Sequence, residues 1–437
     1  MEEKLLHYAF RYRLFDSLIY TNGEHVGQSV SLLSAGEFNT DAGPDFFNAK
    51  IVYGDTTLAG CIELHLKSSD WYLHRHDSDP AYDGVILHIV LEDDRPVYRS
   101  DGQPLLTAVI SVPNRMQHIA SELESRSSSP ACIERLSVVN KKDWDTWLSV
   151  LANERLTQKA AILSEQLMQL KGDWNELTYI HLARYLGGNV NNEAFEQMAR
   201  LLPYSYIRKQ RGSLLQIEAM IYGSAGLIPK LDTLSEVDEI TRSYVEKLDR
   251  ESRFLTHKYG LRALAPSCVR MLRIRPAAFP TIRLAILSAI LYQHEFLFSR
   301  LIQAQSLHEA EAIFDGLDVS TYWHSYYAFG IPRPHEGNVE VSRELRHSII
   351  ANLLCPLLVA YSHERKDSHF REKAESFLRQ MPPEKNKHTK LFATAEITAA
   401  NMAQSQALIQ LSKRYCAENR CLSCRIGYRL LSNSVRN

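Results

Sequence analysis

The stretch "GPDFFNAKIVYGDTTLAGCIELHLKSSDW", residues 43–71, contains two runs that are typical of paired β-strands. "DFFNAKIVYG" and "TTLAGCIELHLK" are rich in β-branched and aromatic residues, and the turn sequence "YGDTT" between them predicts a hairpin. Side chains alternate between the two faces of a strand, so apolar residues of the second run share one face. The opposite face carries Glu63, His65 and Lys67, three side chains that can bind a metal ion or move a proton.

Patterns on either side of this hairpin predict the fold class. "GQSVSLLSAGEF", "DGVILHIVLED" and "QPLLTAVISV" read as further short strands, and "LLHYAFRYRLFDSL" has helical spacing. From about residue 141 onward, nearly every segment has the helical period, and Gly and Pro occur where helices should end. The chain is therefore predicted to be α+β, with an N-terminal mixed β-sheet domain (residues 1–125), a large all-α domain (126–410) and a cysteine-bearing tail (411–437).

Composition excludes some classes of protein and favours one compartment. The 437 residues are 45% hydrophobic and 23% charged, and the formal net charge of −1 gives no global signature of a nucleic-acid-binding protein. We expect no membrane span, because no run approaches the roughly 18 apolar residues that one requires. The first residues, "MEEKLLHYAF", do not resemble a signal peptide. An odd number of cysteines, seven, then favours the reducing cytoplasm.

Two acidic residues lie one hairpin apart. Asp45 begins the strand before Glu63, so the two carboxylates could approach each other at the end of the sheet. Carboxylates are preferred ligands of Mg²⁺ and Mn²⁺, and a nearby His65 or Lys67 could position or activate the attacking water. This is a minimal set of residues for hydrolysing a phosphodiester.

The same residues resemble the core of the PD-(D/E)XK nuclease superfamily, in which an Asp opens one strand and an acid-x-Lys follows on the next. The resemblance implies a restriction-endonuclease-like sheet, Asp45 and Glu63 as metal ligands, Glu37 as an additional acid, and DNA or RNA as substrate. His65 stands at the family's lysine position, which leaves open a second possibility: a nucleic-acid or protein binding module that has lost hydrolysis. The chain as a whole, through "NTDAGPDFFNAKI" and "YDGVILHIVLEDD", resembles an uncharacterised bacterial family of unknown function.

A histidine-rich segment offers another metal site. In "HRHD", His74 and His76 share a face if the segment is extended, and Asp77 follows them. Two histidines and a carboxylate suffice for Zn²⁺, Mn²⁺ or Fe²⁺, so an unrelated metal hydrolase is an alternative function. His88, inside the apolar run "VILHIV", is expected to be buried and to support the site from behind the ligands. A polar loop and an ordinary solvated strand face would explain the same residues, and the chain would then be a scaffold without chemistry.

The C-terminal "CAENRCLSC" places Cys416, Cys421 and Cys424 close together. This spacing favours a structural Zn²⁺ or an iron–sulfur cluster, with a fourth ligand from elsewhere, such as His388 or Cys355. Three reduced thiols are the alternative. The remaining cysteines have mainly apolar neighbours and are expected in the core: Cys61, Cys132, Cys268 and Cys355.

Arg and Lys are concentrated in two helical segments, where they predict contacts with a nucleic-acid backbone or, alternatively, solvated helix faces. The residues concerned are Arg208, Lys209, Arg211, Arg270, Arg273 and Arg275.

Overall fold

The computed structural model describes residues 1–124, 130–230, 232, 237–272 and 278–436. The chain forms two compact units. The first comprises Met1–Leu151, Asn386–Thr398 and Leu408–Asn437, and the second comprises Ala152–Lys385 and Ala399–Ala407. The predicted domain boundaries stay a prediction, and the first of them falls at residue 125, outside the described residues.

The first unit is built on a mixed sheet, as the sequence predicts. Its seven described strands are β1 (Ser17–Tyr20), β2 (Ser31–Ser34), β3 (Glu37–Phe38), β4 (Phe46–Tyr53), β5 (Thr56–Lys67), β6 (Val85–Glu92) and β7 (Thr107–Ser111). Their order is β1-β7-β6-β5-β4-β2, and β3 also pairs with β4. β5, β6 and β7 run parallel to one another, whereas the other pairs are antiparallel.

The apolar face of the central hairpin packs on a helix. β4 and β5 pair so that Phe46 lies opposite Ile62, and both are fully buried. The ring of Phe10, in helix α1 (Glu3–Arg11), lies edge-on to Phe46 at a centroid distance of 5.0 Å. The predicted helical segment, residues 5–18, extends beyond the end of this helix at Arg11. Arg13 has a positive φ of 54°, which ends the helical path, and β1 begins at Ser17 within the predicted helical segment.

The connection from β5 to β6 covers the other face. Parallel strands require a crossover, and this one contains α2 (Asp70–Leu73) and two 3₁₀ turns, His76–Ser78 and Pro80–Tyr82. Trp71 of α2 is fully buried and packs in a small core with Val85, Val97 and Leu105. The polar face of β5 is therefore roofed by the crossover.

Helices make up most of the remaining described structure. In the first unit lie α3 (Asn114–Glu124), α17 (Lys387–Ala393) and α19 (Arg425–Arg436), and α4 (Lys141–Gln169) and α18 (Met402–Leu411) contribute to both units. The second unit contains α5 (Trp174–Leu186), α6 (Gly188–Leu201), α7 (Tyr204–Lys209), α8 (Leu214–Ser224), α9 (Glu239–Tyr259), α10 (Pro280–Gln293), α11 (Leu297–Gln303), α12 (Leu307–Ala312), α13 (Tyr322–Ser325), α14 (Arg343–Ile349), α15 (Cys355–Arg365) and α16 (His369–Gln380).

The prediction of an all-α second domain needs one correction. Two short strands, β8 (Tyr326–Ala328) and β9 (Ile331–Pro332), form a hairpin among these helices. Gly330, with a φ of 70°, allows the tight turn between them.

One helical stretch is long and apolar enough to cross a membrane by composition alone. It runs from Arg343 to Arg365, because a π-helical turn at Ile350–Leu354 joins α14 to α15. Its most apolar part is 72% buried inside the protein, which is typical of a core helix in a soluble protein.

Candidate metal centre

The polar face of β5 is buried under the crossover. Glu63 is 5% exposed and His65 is 1% exposed, although glutamate usually faces solvent and histidine is seldom so deeply buried. Each must therefore be satisfied by neighbouring polar groups.

Three histidines converge at this face. Ring nitrogens of His65, His74 and His76 all lie within 4.8 Å of one another. His65 Nε2 is 3.1 Å from His74 Nδ1. His76 is buried against the ring of Tyr82, with a centroid distance of 3.6 Å, whereas His74 is exposed. The cluster therefore has a buried side and a solvent-facing side.

The sequence predicts that His74 and His76 share a face if their segment is extended, but the segment is not extended. His74 follows the last residue of α2, and Arg75 adopts a left-handed conformation with a φ of 62°. This reversal starts the 3₁₀ turn at His76 and brings both imidazoles to the same side.

Glu63 supplies an oxygen to the cluster. Its Oε1 is 3.3 Å from His76 Nε2 and 3.6 Å from His65 Nε2. Its Oε2 accepts a hydrogen bond of 3.0 Å from the backbone N–H of Asp45. Burial raises the pKa of Glu63, and the imidazole of His76 beside the carboxylate opposes this rise.

His88 lies behind His65. β5 and β6 pair with Glu63 beside His88, so His88 lies on the same face of the sheet. Its Nε2 is 2.8 Å from His65 Nδ1, and the residue is fully buried. Burial and the neighbouring imidazoles lower the pKa of His65 to about 2 and that of His88 to about 3. Both rings are therefore neutral at physiological pH, which is the form that binds metal ions.

The two predicted acids lie side by side, and a residue that sequence reasoning missed joins them. Asp45 Oδ2 accepts a hydrogen bond of 2.9 Å from the N–H of Leu64 and lies 3.1 Å from His7 Nε2. Burial lowers the pKa of His7, but the hydrogen bond and charge of Asp45 raise it above its ordinary value overall. The only signal for His7 in the sequence is a histidine within an otherwise buried helix face.

Other predicted site residues lie apart from this cluster. Lys67 is exposed and its Nζ lies 3.1 Å from Glu92 Oε2. Glu37 is exposed on β3, and Asp77 is half-buried in the 3₁₀ turn. Within the described parts of the chain, none of these three makes a side-chain hydrogen bond or ion pair with the histidines or with Glu63 and Asp45.

The predicted basic residues are largely engaged within the second unit. Arg208 and Arg211 both form ion pairs with Glu295, at 3.2 and 3.0 Å, and Lys209 lies over the rings of Tyr206 and Tyr259. The backbone of Arg270 pairs with the side chain of Asn191 in a separate contact. Arg273 and Arg275 lie outside the described residues. Nucleic-acid contact by this group stays a prediction.

The four cysteines predicted to lie in the core differ in burial. Cys355 is buried as expected, Cys61 and Cys132 are half-buried, and Cys268 is exposed. Cys132 lines a small cavity together with Cys416, Cys421 and Cys424, whereas His388 and Cys355, the suggested fourth ligands, do not line it. The Nδ1 of His388 instead lies 2.8 Å from Ser412 Oγ.

Fold and site together define an α+β protein in which three histidines and a glutamate converge beneath a sheet crossover. The chain belongs to the family described as Protein of unknown function (DUF2851), whose model matches residues 3–387. No match was found among curated proteins or among solved structures.

Proposed function

We propose that this protein is a divalent-metal-dependent hydrolase and that His65, His74, His76 and Glu63 hold its metal ion. The observation that carries the proposal is the convergence of three imidazole nitrogens within 4.8 Å of one another beside the Oε1 of Glu63.

The separations between these donor atoms suit a single small cation. Nitrogen and oxygen ligands about 2.0–2.1 Å from a tetrahedral ion lie about 3.4 Å from each other. The separations here are 3.1 Å between His65 and His74, 3.3 Å between His76 and Glu63, and 3.6 Å between His65 and Glu63. Three imidazoles and one carboxylate favour Zn²⁺, Mn²⁺ or Fe²⁺ over Mg²⁺, which prefers oxygen ligands alone.

Two further contacts support binding. His76 Nε2 is buried without a hydrogen-bond partner in the described structure, and a cation would provide the missing partner. If the Nε2 lone pair of His65 faces the ion, its Nδ1–H donates to His88 Nε2. Such a contact fixes the orientation of a metal-binding imidazole.

The surrounding residues have separate roles in hydrolysis. A divalent cation at this site would supply Lewis-acid chemistry by lowering the pKa of a coordinated water. His74 opens the cluster to solvent and therefore to substrate. His7 lies 3.1 Å from Asp45 and has a raised pKa, so in this proposal it gives a proton to the leaving oxygen.

We propose a phosphodiester of nucleic acid as the substrate. The support is the resemblance to PD-(D/E)XK nucleases, in which two acids lie on adjacent strands of a mixed sheet. Here Asp45 directly precedes β4 and lies beside Glu63, which is within β5. A cytoplasmic location, also proposed, accords with the absence of disulfides among the seven cysteines, all of which are described.

One observation favours a second candidate, a Mg²⁺- or Mn²⁺-dependent nuclease with Asp45 and Glu63 as the metal ligands. The carboxylate of Glu63 accepts a hydrogen bond from the N–H of Asp45, and the carboxylate of Asp45 accepts one from the N–H of Leu64, so the two acids are held side by side. In that case the Asp45→Asn variant would lose its metal, whereas in the histidine-centred site the variant keeps the metal and loses rate.

The activity test uses the wild-type protein with single-stranded DNA, duplex DNA, RNA and a small nitrophenyl phosphodiester, each with Zn²⁺, Mn²⁺, Fe²⁺, Mg²⁺ or EDTA. The His74→Ala variant removes an exposed donor and should fold normally but not cleave. His118→Ala is the matched control, because His118 is a surface histidine of the same unit, with its side chain 75% exposed. Metal binding without cleavage of any substrate would refute the hydrolase and favour the binding module.

A further inference from the structure

Four cysteines from distant parts of the sequence line one cavity in the first unit. They are Cys132, Cys416, Cys421 and Cys424, and the rest of the cavity wall is mainly apolar or aromatic. Burial, with smaller contributions from Cys424 and Cys421, raises the pKa of the Cys132 thiol to about 12. Burial also raises the pKa of Cys416, with additional contributions from the other three. The four thiols are neighbours in the fold because they line the same cavity.

The backbone around Cys424 is arranged as a sulfur-binding knuckle. Cys421 and Cys424 lie on a 3₁₀ turn in which the N–H of Cys424 donates to the carbonyl of Cys421 at 3.1 Å. α19 begins directly afterwards, and the N–H groups of Ile426 and Gly427 donate to the Cys424 sulfur. A Cβ on Gly427 would lie 2.1 Å from the carbonyl oxygen of Cys421, so the close approach requires glycine. Backbone N–H donors to sulfur are a recurring feature of metal-bound thiolates.

We propose that Cys132, Cys416, Cys421 and Cys424 ligate an iron–sulfur cluster, with Cys132 as the fourth ligand. Four cysteine thiolates are the ligand set of such clusters. The spacing in the sequence identifies only three of them, because Cys132 lies in the segment after α3, far from the C-terminal motif.

The spacing of the sulfurs favours a cluster over a single zinc ion. Sulfurs about 2.3 Å from a tetrahedral zinc lie about 3.8 Å from one another and leave no space between them. Of the described residues, only the histidine cluster brings three ligand atoms within 4.8 Å of one another. The four sulfurs are therefore spaced more widely than one ion needs.

The cluster would join two segments of the first unit that lie on either side of residues 152–385 in the sequence. Because metal ligation links such segments only in the folded state, loss of the cluster should destabilise the first unit. This inference does not depend on the hydrolase proposal.

The test begins with wild-type protein purified without oxygen from iron-replete cells. Iron, acid-labile sulfide and zinc are measured on the same sample, with visible absorption and electron paramagnetic resonance after reduction. We expect iron and sulfide in similar amounts, with little zinc. Cys132→Ser should lose most of the iron, the sulfide and the visible absorption. Cys268→Ser, which changes an exposed cysteine outside the group, should keep them.

Three outcomes would overturn the proposal. One is stoichiometric zinc without sulfide. Another is wild-type protein that takes up no cluster even after reconstitution with ferrous iron and sulfide. The third is a Cys132→Ser variant with wild-type cluster content. Should Cys132→Ser fail to fold, the wild-type analyses still decide between cluster, zinc and neither. His74→Ala should retain the cluster, which separates this site from the histidine site.

Discussion

A buried carboxyl in the helical unit should make the stability of the protein depend on pH. Glu218, on α8, is 1% exposed, and its Oε2 accepts a hydrogen bond of 2.9 Å from the hydroxyl of Tyr244. Its Oε1 has no hydrogen-bond partner in the described structure. Burial raises the pKa of this carboxyl to about 7, from an ordinary value of 4.5, despite the hydrogen bond from Tyr244.

The free energy of unfolding should fall as the pH rises, because the folded state retains a proton on Glu218 that the unfolded state loses. Between pH 4.5 and 7 the unfolded chain ionises Glu218, whereas the folded chain still holds it neutral. The contribution of Glu218 is therefore fully present below pH 4.5 and is lost as the pH rises through about 7. A pKa rise of this size corresponds to about 3 kcal/mol in the free energy of unfolding.

Glu218→Gln should remove this dependence, because glutamine does not titrate. Denaturant unfolding would be followed by tryptophan fluorescence for both proteins from pH 4.5 to 8. We expect the wild type to lose about 3 kcal/mol relative to the variant across this range. Glu246→Gln, which changes an exposed glutamate of the same unit, should run parallel to the wild type. A difference between wild type and Glu218→Gln that stays constant with pH would refute the reasoning.

Three further predictions concern the first unit. His88→Leu should weaken zinc binding at the histidine site about 10- to 100-fold, because His65 loses the partner that orients its ring. A competition titration with a chromophoric chelator measures this, and unchanged affinity would contradict the orienting role of His88. Gly427→Ala should lower the melting temperature and the content of iron and sulfide, because the new methyl group would clash with the carbonyl of Cys421. A wild-type melting temperature together with wild-type iron and sulfide would contradict the role of this turn in holding the cluster. Asp143→Asn should destabilise the protein by about 1–3 kcal/mol. The side chain of Asp143 is 5% exposed and binds two arginines of α19, at 2.8 and 3.0 Å. A thermal melt that matches the wild type would contradict this stabilising contribution.

Alternation along one strand was enough to predict the centre of the fold. The residues from Thr56 to Lys67 form β5 with the predicted bounds, and the two-residue turn after Tyr53 makes the predicted hairpin. β1 was missed because the apolar spacing of α1 continues past Arg13, and only a local left-handed conformation there ends the helix. Sequence periodicity carries no information about such a conformation at a non-glycine residue.

The candidate site was predictable only in part, for a topological reason. Glu63 and His65 share a face by alternation, and the hairpin brings Asp45 beside them. The convergence of His74 and His76 with them depends on how the crossover folds back over the sheet, which sequence spacing does not specify. His7 lies on α1, and its contact with Asp45 likewise could not be predicted from sequence spacing. The same is true of Cys132, which lines a cavity with the C-terminal cysteines.

Metal binding by the histidine cluster is the central claim, and isothermal titration of the purified protein with Zn²⁺ and Mn²⁺ tests it most directly. Metal content by mass spectrometry should accompany the titration, with iron and sulfide measured separately. We predict one high-affinity ion per chain in the wild type and in His118→Ala, and loss of that binding in His74→Ala while the protein remains folded. Equal binding by all three proteins, or no binding by folded wild type, would contradict the account.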